Sequence, residues 1–161
     1  IDAGRLEMRK QVVDLPGVVH KIVAGRVASG DPESRFAVGV EGALPEMWLD
    51  PDKIEQVIGN LVENALRHGE GTVTVKVRPF ETGAEVTVAD EGEGIPEETA
   101  TRVFTRFWRG GNRRGGTGLG LYIVKGLVEA HGGSVEVGRS PSGGAQFRFV
   151  LPAGTAPFEQ V

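Results

Sequence analysis

Hydrophobic residues recur along the chain at the spacings of helices and of strands. Residues 15–27 follow the i, i+3, i+4 rule of a one-sided helix, and residues 51–68 carry an unbroken apolar stripe that begins after a good N-cap, Asp50. A third helix is predicted from about residue 118 to 131, and a short one over 96–108. Three main helices are therefore expected.

Alternating apolar residues predict strands between these helices. They occur over residues 36–40, 72–80, 84–89, 134–138 and 146–151, and turn residues separate the consecutive strands of each hairpin. This order predicts an α+β fold, a two-layer α/β sandwich with a mixed, mostly antiparallel sheet of about five strands and the helices on one face.

Composition narrows the function classes. The 161 residues include no cysteine, which excludes a thiolate nucleophile and a cysteine zinc site, and the net charge of −4 argues against a nucleic-acid binder. No apolar run approaches the roughly 20 residues that span a bilayer. Glycine stands out, with 25 residues in all.

Two asparagines lie one helical turn apart. Asn60 and Asn64, with Arg67 beside them, sit on the flank of the apolar stripe, where a helix docked on a sheet holds them along the rim of a groove. An asparagine carbonyl oxygen can ligate a hard cation such as Mg²⁺. Two polar residues on an exposed helix face are the alternative that this pair alone leaves open.

A glycine loop, residues 90–96, follows the predicted strand 84–89 directly. An aspartate at a strand end, here Asp90, can accept a hydrogen bond from the amino group of a base, and glycines let the backbone approach the ligand. The alternative is an ordinary strand-to-helix turn in which Asp90 bonds the local backbone.

Glycines of residues 115–120 precede the third helix, where free N–H groups can bind an anion. Residues 102–114 beside them hold five arginines and no acid, which favours a polyphosphate. Phe104, Phe107 and Trp108 lie among the arginines at helical spacing, so core packing and stacking on nucleic acid are both possible roles for them. A glycine loop without a ligand is the other alternative.

The order of these features resembles the ATP-binding catalytic domain of bacterial sensor histidine kinases, whose superfamily includes DNA gyrase B, a heat-shock chaperone and MutL. Residues 56–68 resemble the asparagine box, 90–96 and 116–121 the two glycine boxes, and 103–109 the phenylalanine box that separates these kinases from gyrase-type relatives. The resemblance implies a Bergerat-type fold that binds ATP and Mg²⁺ for transfer of the γ-phosphoryl group to a histidine.

The resemblance also implies a role for each matching residue. Asn64 would be the Mg²⁺ ligand, Asp90 would accept a hydrogen bond from the adenine amine, and residues 109–117 would form a lid over the phosphates. Family members often carry a threonine where this chain has Ala145 or Gln146, so a water contact at adenine is in question. The implied ATP-binding set is Asn60, Asn64, Arg67, His68, Asp90, Gly92, Gly94, Ile95, Arg109, Arg113, Arg114, Thr117, Gly118, Leu119, Gly120 and Leu121.

The same resemblance divides the chain into three parts. Residues 1–13, which are polar with a weak helical pattern, are expected to be a remnant of the dimerisation hairpin; residues 14–152 form the ATP-binding domain and 153–161 a tail. The phosphoacceptor is expected on that hairpin, outside this chain, because no histidine here is followed by the acid usual in the family. No catalytic residue is therefore assigned.

The implied partners are the protein's own dimerisation domain and a response regulator, with no nucleic acid. We expect the isolated domain to be a monomer, the full-length protein a homodimer, and this domain to be the cytoplasmic part of an inner-membrane protein. Two alternatives remain: an anti-sigma-type serine kinase of the same superfamily, which should lack the phenylalanine box, and a non-catalytic nucleotide-sensing module.

Overall fold

The computed structural model describes residues 7–106 and 119–155. Within them, three α-helices pack on one face of a five-stranded sheet, which confirms the predicted α+β sandwich. None of these helices is long and apolar enough to cross a membrane. The helices are α1 (Leu15–Ala28), α2 (Pro51–His68) and α3 (Gly120–Ala130), and the strands are β1 (Gln11–Val13), β2 (Phe36–Val40), β3 (Met47–Leu49), β4 (Val73–Phe80), β5 (Gly83–Ala89), β6 (Ser134–Arg139) and β7 (Ala145–Leu151).

The main sheet has the order β2-β4-β5-β7-β6, in which β2 and β4 are parallel and the other neighbours antiparallel. Alternate residues of its strands are buried under the helices, as the period of two requires. Because β5 pairs with β7, with Ala89 opposite Gln146, the end of β5 lies next to the β6–β7 turn. The apolar residues on the helix-facing side include Val73, Val75, Val77, Val86, Val88, Phe147 and Phe149.

The other face of the sheet is polar and carries an ionic cluster. Glu85 is only 5% exposed there, and Arg78 donates to it with Nε 2.7 Å from Oε1. Hydrogen bonds from Arg78 hold the pKa of Glu85 below its ordinary value against the opposing effect of burial, and Arg148 adds to this. The carboxylate is therefore charged and paired on the face opposite the helices.

Two buried side chains join the start of α2 to the end of α3. Asp50 caps α2, with Oδ1 accepting from Lys53 N–H at 3.2 Å, and its own N–H donates to His131 Nε2 at 3.1 Å. His131 Nδ1 lies 2.8 Å from the carbonyl oxygen of Leu127, so Nδ1 carries the proton and the ring is neutral. Burial lowers the pKa of His131, which keeps this bridge intact near neutral pH.

The predicted helical character of the first residues is wrong for residues 11–13. They form β1, which pairs antiparallel with β3 so that Val12 lies opposite Trp48. The pairing buries Val13 against Met47 and Leu49 in the core. This contact joins segments more than thirty residues apart, so the local hydrophobic pattern does not reveal it, and β3 was not predicted either.

The predicted short helix over 96–108 is also wrong in its described part. Only Glu97–Thr99 form a 3-10 turn, and turns continue to residue 104. Thr99 and Thr105 direct their hydroxyls to carbonyl oxygens three residues back, at 2.9 and 2.6 Å. Threonine hydroxyls that bond the local backbone in this way compete with a regular helix.

Candidate functional site

The second half of α2 carries the predicted asparagines. Asn60 Nδ2 donates to the carbonyl oxygen of Gly120 at 3.3 Å, which joins the middle of α2 to the first residue of α3. Arg67 lies near the end of α2 and pairs with Glu63 on the surface, Nη2 to Oε1 at 3.2 Å, and His68 is the last residue of the helix. The asparagine helix and the helix of the second glycine box are therefore adjacent.

Asn64 lies one turn after Asn60 and has an unpaired amide. Its Nδ2 is buried and has no hydrogen-bond partner among the described residues. Buried polar atoms in folded proteins nearly always have a partner, so this position calls for one from outside the protein. Because rotation of the amide exchanges its nitrogen and oxygen, Asn64 fits either a phosphate oxygen or the oxygen-preferring ion Mg²⁺.

Asp90 is buried at the end of β5, and two of its oxygen atoms accept hydrogen bonds. Its Oδ1 accepts from Gly92 N–H at 2.9 Å and Ala145 N–H at 3.2 Å, while its carbonyl oxygen accepts from the hydroxyls of Ser140 at 2.8 Å and Ser142 at 3.2 Å. Within the described part of the chain, Oδ2 accepts no hydrogen bond. The carboxylate is thus fixed in place with one oxygen available to a donor.

Glycines pack directly against Asp90. A Cβ at Gly69, which follows α2, would lie 2.4 Å from Asp90 Cγ and Oδ2, and one at Gly144 would lie 2.3 Å from Asp90 O. Gly94 has a φ of +81°, and a Cβ there would lie 2.8 Å from the carbonyl oxygen of Gly143. Any side chain at these positions would displace Asp90 or the loop beside it.

The two ends of this region lie well apart along α2. Gly69 follows Asn60 by nine positions, which at the helical rise is about 13.5 Å along the axis. The start of α3 lies at the Asn60 end and the Asp90 carboxylate at the Gly69 end. A fixed carboxylate and the N-terminus of α3 thus lie at opposite ends of the second half of α2.

Of the other predicted site residues, several adjoin this region. Gly92 bonds Asp90, Ile95 is half-buried against the core, Leu119 immediately precedes α3, and Leu121 is half-buried in its first turn. Phe104 is buried and meets Phe147 edge to face, 6.0 Å between ring centroids, so the core role considered for it is confirmed. Arg109, Arg113, Arg114, Thr117 and Gly118 lie outside the described residues.

Sequence reasoning missed the residues that hold Asp90 from behind. Ser140, Ser142 and Gly69 were not among the predicted site residues. Their roles arise from the pairing of β5 with β7 and from the packing of α2. At the position where the family's threonine was expected, Ala145 reaches Asp90 through its backbone N–H, which needs no particular side chain. A turn that contains serines between the last two strands is too common a signal to have identified this support.

Residues 49–155 match the profile of the family described as histidine kinase-, DNA gyrase B- and HSP90-like ATPases. The chain belongs to this family. It is 41% identical over 111 residues to the alginate biosynthesis sensor protein KinB of Pseudomonas aeruginosa, covering 68% of this chain and 19% of KinB. It is also 32% identical to the sensor histidine kinase component HK1 of Mycobacterium tuberculosis, covering 89% of this chain and 84% of HK1.

Solved structures agree with the family assignment. Full-length ShkA, crystallised with AMPPNP, superposes with a TM-score of 0.79 at 29% identity, covering 94% of this chain and 32% of ShkA. The chain spans about a fifth of the length of KinB and a third of that of ShkA. Its homologues are sensor histidine kinases, and the histidine kinase resemblance inferred from the four boxes is confirmed.

Proposed function

We propose that this chain is the ATP-binding catalytic domain of a sensor histidine kinase, which presents the γ-phosphoryl group of ATP to a histidine on a separate dimerisation domain. The observation that carries the proposal is the arrangement along α2. A fixed carboxylate with one available oxygen lies at the end of α2, an unpaired buried amide lies in the turns before it, and the start of α3 lies beside the middle of the helix.

Asp90 recognises the base. Its available Oδ2 accepts a hydrogen bond from the exocyclic amine of adenine, while guanine would present a carbonyl oxygen at the same place and leave two acceptors facing each other. Gly92, Gly94 and Ile95 shape the pocket, and His68 flanks the base. A site built around one buried acceptor discriminates strongly because a mismatched ligand leaves that acceptor unpaired.

The phosphates extend along α2 toward α3. Asn64 would hold Mg²⁺, which would neutralise charge on the phosphate oxygens. Asn60 and the N–H groups of residues 118–121 would support the phosphates. Arg67 adds positive charge. Arg109, Arg113, Arg114 and Thr117 belong to the lid in this proposal. The domain positions the nucleotide, and the histidine that attacks it is supplied by the partner domain.

The partners follow from this role. We infer that the full-length protein is a homodimer in which this domain follows the dimerisation hairpin, and that a response regulator receives the phosphoryl group. Placement on the cytoplasmic side of a membrane-anchored parent protein stays a prediction. The purified chain is expected to be monomeric and not to phosphorylate itself.

Nucleotide titration tests the binding site. With Mg²⁺ present, the chain should bind ATP more tightly than GTP. Asn64→Ala should remove the increase in ATP affinity that Mg²⁺ confers. Asp90→Ala should weaken ATP binding roughly tenfold or more and leave GTP binding little changed. The exposed Lys76→Met is the control and should bind as the wild type does. Equal affinity of the wild type for ATP and GTP would refute the assignment of the base pocket.

Phosphotransfer tests the reaction. Joining the chain to a histidine-bearing dimerisation hairpin and supplying Mg·ATP should produce acid-labile histidine phosphate. Acid-stable serine phosphate on an added protein substrate would favour the anti-sigma-type alternative. Tight ATP binding without any transfer in the joined protein would favour a nucleotide-sensing module instead.

A further inference from the structure

Arg35 binds the end of α2 although it lies outside residues 49–155, the part that matches the family profile. It ends the 3-10 turn before β2. Its Nε donates to the carbonyl oxygen of Gly71 at 3.0 Å, and its Nη2 donates to those of Leu66 and Gly69 at 3.4 and 3.5 Å. One guanidinium therefore gathers three backbone carbonyl groups at the point where the chain leaves α2.

One of these carbonyl groups, that of Leu66, lies in the last turn of α2, and the other two follow the helix. The last four C=O groups of an α-helix lack N–H donors, and a cation near them also complements the negative end of the helix dipole. The following loop turns sharply, with Gly71 at a φ of +67°. Arg35 thus fixes both the final turn of α2 and the loop of residues 69–71.

The loop of residues 69–71 is also the wall behind Asp90. Gly69 approaches the Asp90 carboxylate so closely that no Cβ fits between them. Glu91, the next residue after Asp90, donates its N–H to Glu70 O at 2.9 Å, and its Oε1 accepts from Thr72 N–H at 2.6 Å. The position of the carboxylate therefore depends on where this loop is held.

We propose that Arg35 is a positioning residue for base recognition. By fixing the loop of residues 69–71, it holds the Asp90 carboxylate in the position that favours adenine nucleotides. The inference rests on the proposed function, since it assumes that Asp90 reads the base. Arg35 does not contact the nucleotide. It acts through Gly69, whose carbonyl it binds and whose α-carbon packs on the carboxylate.

The test compares ATP and GTP affinity in four proteins under conditions where each is fully folded by circular dichroism. Arg35→Met keeps the aliphatic part of the side chain and removes its N–H donors. It should weaken ATP binding roughly tenfold and reduce the ratio of ATP affinity to GTP affinity by a similar factor. Arg35→Lys retains the charge but not the planar guanidinium, so its ATP affinity should lie between those of Arg35→Met and the wild type. Lys76→Met, an exposed cation on the open sheet face, should match wild type.

A double-mutant cycle separates positioning from general stability. In an Asp90→Ala background, Arg35→Met should have little further effect on ATP affinity, because both changes act on the same contact. An equal loss in both backgrounds, or an unchanged ATP-to-GTP ratio in Arg35→Met, would overturn the inference. If Arg35→Met is unfolded, the same comparison is made with Arg35→Lys. A wild type without adenine preference would instead refute the proposed function itself.

Discussion

Replacing Gly69 by alanine tests a close contact in the proposed base pocket. The added Cβ would lie 2.4 Å from Asp90 Cγ and Oδ2 and 2.6 Å from its Cβ. The backbone of Gly69 has φ −95° and ψ −177°, which alanine adopts without strain. The whole cost therefore arises from contact with Asp90.

The size of the effect follows from these distances. Carbon atoms in contact prefer about 3.5–4.0 Å, so the Asp90 carboxylate must move by about 1 Å. A displacement of that size would break or bend the bonds to Gly92 and Ala145 and misplace Oδ2. A hydrogen bond to a charged group is worth about 1.5–3 kcal/mol, so we expect ATP affinity to fall roughly tenfold to a hundredfold. Overpacking should also lower the free energy of unfolding by about 1–3 kcal/mol.

Gly59→Ala is the matched control within the same segment. Gly59 lies inside α2, and a Cβ there meets nothing within 4 Å. Alanine should stabilise the helix by about 0.5–1 kcal/mol and leave ATP binding unchanged. Isothermal titration with ATP and GTP, together with urea denaturation, measures both effects. Wild-type affinity and wild-type base preference in folded Gly69→Ala would refute the argument that Gly69 positions the carboxylate.

Two further predictions concern stability. The pKa of His131 is lowered, chiefly by burial, from its ordinary value of 6.5. The unfolded state therefore binds more protons than the folded state below about pH 6.5. The free energy of unfolding should fall on acidification, by up to about 1.4 kcal/mol for each pH unit by which folding lowers this pKa. In urea denaturation at several pH values, His131→Gln should reduce the dependence of the free energy of unfolding on pH, and the exposed His20→Gln should not. The same pH dependence in the wild type and both variants would contradict the reasoning. Phe104→Ala should lower the free energy of unfolding by about 3–5 kcal/mol, with Phe104→Leu milder, and a loss below about 1 kcal/mol would contradict the core role of this ring.

Elements with a strong local pattern were predictable from the sequence. α2 begins and ends where Asp50 and Gly69 indicate, because capping and the apolar stripe are both local properties. The five strands of the main sheet also lie within one residue of the prediction at each end. Asn60, Asn64 and Asp90 could be predicted as site residues because their types and order resemble those of one kind of site.

Features that depend on distant pairing were not predictable in this way. β1 and β3 are three-residue strands that exist because they pair with each other, and neither has a pattern long enough to stand out. Ser140 and Ser142 support Asp90 only because β7 lies beside β5. Arg35 contacts the end of α2 because β2 runs parallel to β4, which begins just after the loop it binds. In each case the sheet order decides the contact, and the hydrophobic pattern carries no information on that order.

The geometry of α2 explains how motifs far apart in sequence can act as one site. Its N-cap residue, Asp50, is bonded to His131 at the end of α3, and its middle is bonded to the start of α3 through Asn60 and Gly120. Its last turn is joined to the loop behind Asp90 through Arg35. A movement of α2 along its axis would therefore alter the Asn60–Gly120 bond and the Gly69–Asp90 contact together. Because these contacts border the phosphate and base ends of the proposed nucleotide site, the two ends are coupled through one rigid helix, and a change that loosens either anchor should affect both the Mg²⁺ dependence and the choice of base.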